Sequence, residues 1–158
     1  MTNELKTLLF LVDTAYDRAS WHGPNLRGAL RGVTPHQAAW RPAATRHNIW
    51  ELIVHAAYWK YVAWRRLTGA ERASFGLEGS NWIRRDGGTQ SDLRRDLVLL
   101  ETTHRTLRAA VAAVDPRLLD KRPPKGSATT RALITGIAAH DLYHAGQIQL
   151  LKRLGGKP

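Results

Sequence analysis

Four long stretches of the sequence place apolar residues three or four positions apart, and no stretch shows the apolar–polar alternation of a half-buried strand. Steps of three and four put side chains on one face of an α-helix, so each stretch predicts a helix with one buried side. These predicted helices, A to D, span about residues 4–19, 48–69, 90–114 and 130–154. They indicate an all-α four-helix bundle with long A–B and B–C connections, in which an up-down arrangement is the simplest order.

The length of 158 residues suits one domain, so we expect a single four-helix-bundle domain over residues 1–158. A short helical segment is expected near residues 25–30, inside the A–B connection. The chain has no run of about 18 apolar residues and does not begin with a basic and then an apolar segment. We therefore expect a cytoplasmic protein with no membrane partner.

The chain contains no cysteine, which excludes disulfides, thiolate metal ligands and a cysteine nucleophile of its own. Any sulfur chemistry must therefore use an exogenous thiol. Lys and Arg number 24 against 13 Asp and Glu, which gives a net charge of +11 with His neutral. The basic residues are dispersed in pairs, as on a solvated surface, so we expect no specific nucleic-acid partner.

Two histidines, His140 and His144, lie four residues apart in helix D and project from adjacent turns on one side. Both fall on the apolar face, where an unpaired polar group costs about 1–3 kcal/mol, so a shared metal ion is a natural partner. His55 interrupts the apolar face of helix B in the same way and is the candidate third ligand. Three neutral histidines leave coordination positions open, which is typical of a catalytic ion.

Several of these residues also allow other interpretations. Any of the histidines can be a core residue with an ordinary hydrogen bond, and His104 in helix C can be that, a fourth ligand or a residue that orients a ligand. Glu51 can orient a ligand or accept a proton, but it can also cap helix B. Gln147 can hydrogen-bond a substrate or only pack. Solvent exposure is expected for His22, His36 and His47.

Five short segments distinguish this chain from a generic helical bundle. They are residues 30–35 (LRGVTP), 40–42 (WRP), 48–59 (NIWELIVHAAYW), 66–69 (RLTG) and 136–148 (GIAAHDLYHAGQI). The last segment is the most specific. Together these segments resemble the motifs of the DinB/YfiT-like superfamily of metal-dependent proteins, in particular its DinB_2-type branch, over most of the chain.

The resemblance implies a four-helix bundle, often a homodimer, with a divalent metal held by one histidine of the second long helix and two of the last. Those positions are His55, His140 and His144 here. In this superfamily the metal is commonly zinc or nickel, and characterised relatives are bacillithiol S-transferases or mycothiol-dependent isomerases. The resemblance does not imply DNA binding.

Three functions are compatible with these observations. The leading hypothesis is transfer of a low-molecular-weight thiol, of bacillithiol or mycothiol type, to an electrophilic small molecule, with Glu51 and Gln147 as candidate catalytic residues. One alternative is metal-dependent hydrolysis, for which the sequence offers no clear inward carboxylate as general base. The other is a metal-stabilised binding protein without catalytic activity.

Overall fold

The computed structural model describes residues 2–71 and 75–155 of the chain. Within these residues it contains helices and no strands, which confirms the predicted all-α class. Four helices are long and correspond to the predicted helices A to D. The order is α1 (Asn3–Tyr16), α2 (Leu26–Ala29), α3 (Pro35–Ala39), α4 (Ile49–Thr68), α5 (Gln90–Ala112), a 3₁₀ turn (Pro116–Leu118) and α6 (Thr130–Leu154).

The ends of α4 follow from its flanking residues. The side chain of Asn48 accepts a hydrogen bond from the backbone amide of Glu51, which satisfies one of the free amides of the first turn. At the other end Gly69 has a φ of 72°, in the left-handed region that glycine adopts without a Cβ clash. Both ends therefore lie where the sequence predicts them.

Helix α1 is shorter than predicted. It ends at Tyr16 rather than near residue 19, because the backbone amides of Asp17 and Arg18 both donate to the carbonyl of Asp13 and close the last turn. The side-chain amide of Asn25 then donates to the carbonyl of Arg18 at 2.7 Å. The chain consequently turns into the connection three residues early.

The long helices do not pack in chain order. Helix α1 packs against α5 and α6, and α4 also packs against α5 and α6. The first and second long helices thus lie diagonally across the bundle. The long connection between them, residues 17–48, contains α2 and α3 and crosses one end of the bundle.

The core consists of two apolar clusters, one toward each end of the bundle. Along α4 and α5 the chain passes from the first cluster to the second, whereas along α1 and α6 it passes from the second to the first. The first cluster includes Ile53, Leu100 and Ile148, and the second includes Val12, Leu107 and Ile134. The helices therefore run up, down, down, up, and the simple up-down alternation is wrong.

The B–C connection has to return along the bundle because α4 and α5 run in the same direction. Its residues 75–82, which we call the strap, lie against α4 and carry Asn81 and Trp82 to His55. Phe75 anchors the strap in the first core cluster. None of the helices in residues 2–71 and 75–155 is both long and apolar enough to cross a membrane.

Candidate metal centre

Three histidines converge where α4 packs against α6. The Nε2 atom of His140 lies 3.1 Å from Nε2 of His55 and 3.0 Å from Nε2 of His144. His55 and His144 are buried, and His140 is half-buried. The structure therefore brings together the three side chains that the sequence predicts as metal ligands.

The outer nitrogens of two of these rings are fixed by acceptors. Nδ1 of His55 donates to the backbone carbonyl of Asn81 at 3.1 Å, and Nδ1 of His144 donates to Oε1 of Gln147 at 2.6 Å. A neutral imidazole that carries its proton on Nδ1 has a lone pair on Nε2. Both lone pairs therefore point toward the shared space beside His140, as in metal sites whose histidines are oriented through their second nitrogen.

Burial keeps the three rings neutral. It lowers the pKa of His55 to about 4 and that of His140 to about 3, and it also lowers the pKa of His144. At neutral pH each ring therefore carries a single proton and keeps one nitrogen lone pair, so no ring has to be deprotonated before it binds a metal ion.

The donor set fits a divalent cation. Three facing nitrogens share at most the one proton of His140, so hydrogen bonds among them cannot satisfy all three. A tetrahedral zinc ion with bonds of about 2.0–2.1 Å requires ligand nitrogens about 3.3–3.4 Å apart, close to the separations observed. A nickel ion also accepts imidazole nitrogen. The three histidines leave at least one coordination position to a further ligand.

The family model of the DinB superfamily (DinB_2) matches residues 18–148, a range that includes all three histidines and the strap. The chain belongs to the DinB superfamily. No curated protein matches the chain closely enough to add a relative. No solved structure gives a match either.

In this DinB-superfamily protein an indole covers one face of the first histidine. The ring of Trp82 stacks on His55 with centroids 3.7 Å apart and on His47 with centroids 3.6 Å apart, so it lies between them. The neighbouring residue, Asn81, also accepts from the indole N–H of Trp59 through its side-chain oxygen at 2.9 Å. The strap therefore both orients His55 and shields it from water.

Sequence reasoning missed the role of the strap. Its residues lie in a glycine-rich connection without a helical period, so periodicity could not place them. The signal visible in the sequence is Trp82, an isolated tryptophan between glycines. The positive φ of 58° at Asn81 is visible only in the structure.

Glu51 is held away from the three-histidine cluster by other partners. Its buried carboxylate accepts hydrogen bonds from the guanidinium of Arg41 at 2.7 Å and from Nδ1 of His47 at 2.8 Å. Burial alone would raise the pKa of Glu51, but these hydrogen bonds outweigh burial and lower it. Glu51 therefore stays ionised, and its partner His47 is linked to His55 through the stacked ring of Trp82.

The predictions for Gln147 and for the histidines expected to be exposed can also be compared with the structure. Gln147 is half-buried, and its amide oxygen accepts a hydrogen bond from Nδ1 of His144, so it orients that ring in the structure described here. His22, His36 and His47 are exposed as predicted, although His47 is also engaged by Glu51 and Trp82. The catalytic roles assigned to Glu51 and Gln147 stay predictions.

His104 does not join the three-histidine cluster. It is buried in the core and stacks on Tyr16 with ring centroids 3.6 Å apart. Burial and the positive charges of Lys60 and Arg108 lower the pKa of His104 to about 2, so the ring is neutral. Of the three interpretations left open by the sequence, the core residue is the one observed. Its Nδ1, however, is buried without a hydrogen-bond partner in the described residues rather than bonded to a carbonyl.

A buried ion pair joins the two helices that carry the ligands. Lys60 of α4 donates to the carboxylate of Asp141 of α6, and the two side chains are 1% and 2% exposed. Burial raises the pKa of Asp141, and the ammonium of Lys60 opposes that rise. Asp141 directly follows His140 in the chain, so the ion pair fixes α6 against α4 at the turn that presents His140. Lys60, Asp141 and His104 form a polar layer between the two apolar clusters.

Proposed function

We propose that the protein is a divalent-metal-dependent enzyme that transfers a low-molecular-weight thiol to an electrophilic small molecule. The observation that carries the proposal is the convergence of the Nε2 atoms of His55, His140 and His144, with two outer nitrogens held by Asn81 and Gln147. Zinc or nickel suits this donor set. A bound divalent cation supplies a Lewis acid that favours the thiolate form of a coordinated thiol near neutral pH.

The chain's own residues supply the rest of the site. His55, His140 and His144 hold the metal, the strap keeps water from one face of His55, and Gln147 fixes the ring of His144. Because the chain has no cysteine, the sulfur nucleophile has to come from a thiol co-substrate. A bacillithiol- or mycothiol-type thiol is the class we propose.

An apolar groove of about 200 Å³ supports the binding of an electrophile beside the metal. It runs between α4 and α6 and reaches His140. Its walls include Trp59, Ala63, Leu133, Gly136 and Ile137, with Arg66 on the same wall as Trp59. A small apolar molecule in this groove would lie beside His140, one of the three proposed ligands.

Metal content tests the first part of the proposal. We expect close to one zinc or nickel ion per chain by elemental mass spectrometry, and its loss in His55→Ala, His140→Ala and His144→Ala variants. The exposed His36 provides the matched control, and its alanine variant should keep the ion. Failure to bind any divalent ion after reconstitution would make the three rings core histidines and end the proposal.

Turnover tests the second part. Metal-loaded protein is mixed with bacillithiol, mycothiol or another low-molecular-weight thiol and with a panel of small electrophiles, and the thioether product is followed by mass spectrometry. We expect product only when thiol, electrophile and metal-loaded protein are all present. Product that forms with water and without thiol would instead show hydrolysis by the same open site. Binding of metal without any turnover would favour a metal-stabilised binding protein.

The proposal also covers the oligomeric state and the cellular location of the protein. We propose a homodimer in the cytoplasm, where small thiols are kept reduced. Size-exclusion chromatography with light scattering gives the mass in solution, and a mass near that of one 17.7 kDa chain would contradict the dimer. Fractionation of the native cells tests the location.

A further inference from the structure

A second cavity, of about 690 Å³, lies beside the C-terminal half of α4 and under the strap. It does not include any of the three histidines. The polar residues on its wall are Tyr58, Tyr61, Arg65, Arg66, Ser80 and Lys125. Three of these six carry a positive charge, and no carboxylate lines the cavity among the residues that the structure describes.

This charge is only partly neutralised in the described chain. Nζ of Lys125 donates to the carboxylate of Glu71 at 2.7 Å and to the carbonyl of Ala70 at 3.3 Å, but the Glu71 side chain is 94% exposed and lies outside the cavity wall. Arg66 forms no ion pair in residues 2–71 and 75–155, and its guanidinium lies 5.8 Å from the ring of Trp59. The cavity therefore has an excess of positive charge, which favours an anionic occupant.

Arg65 adds an independent observation. Its Nε atom is buried and has no hydrogen-bond partner in the described structure, while its guanidinium lies 5.7 Å from the ring of Tyr61. A buried N–H without a partner costs about 1–3 kcal/mol, and more when the group is charged. Arg65 also lines the cavity, so a rotation of its side chain would let an oxyanion there accept a hydrogen bond from this donor.

The cavity also lies close to the candidate metal centre, as two of its residues show. Ser80 on its wall directly precedes Asn81, whose carbonyl orients His55. Arg66 lies on the wall of both this cavity and the apolar groove that reaches His140. Arg66 therefore lies between the cavity and the groove that reaches His140.

We propose that this cavity binds the anionic end of a small molecule that carries carboxylate or phosphate groups, with Arg65, Arg66 and Lys125 as its cationic partners. Guanidinium groups bind both kinds of oxyanion through paired N–H donors. The identification of this molecule with the thiol co-substrate rests on the proposed function. The anion site itself does not, because it uses none of the metal ligands.

Binding is measured by calorimetry with succinate, inorganic phosphate and the neutral succinamide, at constant ionic strength set with chloride. We expect saturable binding of at least one anion and none of succinamide. Tighter succinate binding would identify a carboxylate ligand, and tighter phosphate binding a phosphorylated one. Absence of saturable binding for both anions would overturn the proposal.

Three substitutions locate the site. Arg65→Gln and Arg66→Gln should each weaken anion binding by about tenfold or more, because each removes a charged hydrogen-bond donor. The control is Arg94→Gln, an equal change of charge at an exposed arginine of α5 that lines a different, larger groove. Loss of binding in Arg94→Gln, or unchanged binding in both α4 variants, would refute the assignment to this cavity.

Arg65→Lys separates the role of Nε from that of charge and protects the test against a folding defect. It keeps the positive charge but removes the Nε donor, so we expect anion binding to weaken by several-fold while the melting temperature stays close to that of the unaltered protein. Unchanged anion affinity in Arg65→Lys would contradict the role given to Nε.

Failure of this proposal can be told apart from failure of the proposed function. Anion binding is repeated in His140→Ala, where the metal site is disrupted and the cationic cavity is intact. Retained binding there, together with absent thiol transfer in the intact protein, would leave the anion site standing and end the proposed function. Binding that disappears in His140→Ala would show that the anion binds at the metal and would overturn the cavity assignment.

Discussion

Two groups of buried polar side chains lie at the same level of the bundle, and they are satisfied in opposite ways. In the polar layer Lys60 and Asp141 carry opposite charges and pair directly across α4 and α6. In the three-histidine cluster, neutral rings present nitrogens to one another, and two of those nitrogens are acceptors fixed by Asn81 and Gln147. The charges of the first group balance without a ligand, although Oδ1 of Asp141 and Nδ1 of His104 have no hydrogen-bond partner in the described structure, whereas the second group requires a cation. The comparison separates a structural polar group from a functional one.

The largest effect should come from breaking the ion pair. Lys60→Met leaves the carboxylate of Asp141 buried without its counterion, and we expect a loss of about 3–5 kcal/mol in the free energy of unfolding. Denaturant titration monitored by circular dichroism measures it. The double variant Lys60→Met, Asp141→Leu should recover most of that loss, because no charge is then left unpaired. A double variant as unstable as the single one would show that the pair itself stabilises the fold.

Removal of the acceptor on His144 should weaken the metal site without unfolding it. In Gln147→Ala the ring loses the partner that holds its Nδ1 proton, and we expect metal affinity to fall by about 10- to 100-fold. Competition with a chelator of known affinity measures the change. Gln149→Ala on the same helix is the matched control and should leave affinity unaltered. Equal losses in the two variants would assign the effect to the helix rather than to the hydrogen bond.

Acid should destabilise the folded protein through His104, the neutral histidine of the polar layer. The pKa of His104 is lowered by burial to about 2 from an ordinary value of 6.5, so the unfolded chain takes up a proton at a higher pH than the folded one. The stability that neutral His104 contributes to the folded protein is complete at pH values above its unfolded pKa of 6.5. It is lost as the pH falls below that value. Between pH 7 and pH 5 we expect the unaltered protein to lose about 2 kcal/mol more stability than His104→Gln does.

Denaturant titrations of both proteins at several pH values check this expectation. The remaining histidines are present in both chains, so their titration cancels in the difference. Parallel pH profiles for the two proteins would mean that His104 is protonated in the folded state or is reached by water.

The smallest effect should come from filling the apolar groove. An added Cβ at Gly136 meets no atom within 4 Å, so the side chain of Gly136→Leu starts in open space on the wall of the groove that reaches His140. We expect a rise of about tenfold in KM for the electrophile with unchanged metal content. The variant should also be slightly more stable, by about 1 kcal/mol, because leucine favours a helix over glycine.

Gly146→Leu is the matched control for the groove. Gly146 lies on the same helix, is equally open to an added Cβ and does not line the groove. An equal increase in KM in this control would show that the groove does not bind the electrophile.

The sequence predicts the helices and the three histidines because both depend on local spacing. Steps of three and four fix the helical faces, and the four-residue separation of His140 and His144 fixes their common direction. Beyond His55, however, the face of α4 that the spacing predicts to be buried continues through Trp59, Val62 and Arg66, and these three side chains are only half-buried. The deepest face of α4 passes through Ile53, Ala56, Lys60 and Ala63.

Contacts between residues far apart in the chain could not be predicted from the sequence, for a physical reason. Lys60 and Asp141 are 81 residues apart, and their pairing depends on the packing of α4 against α6, which periodicity does not specify. The direction of α5 depends on where the B–C connection ends, and that connection has no period. The burial of Lys60 was hidden for the same reason, because the spacing placed the buried face of α4 through His55 and Trp59 and left Lys60 outside it.

The parallel course of α4 and α5 has a consequence for how this protein can change. The chain has to cover the length of the bundle between them, so the strap passes His55 and the cavity beside the C-terminal half of α4. Exchange of the side chains of residues 76–80 would reshape the wall of this cavity while the helices that hold the histidines stay in place. Asn81 and Trp82 of the same strap contact His55, so such changes have to leave these two residues where they are.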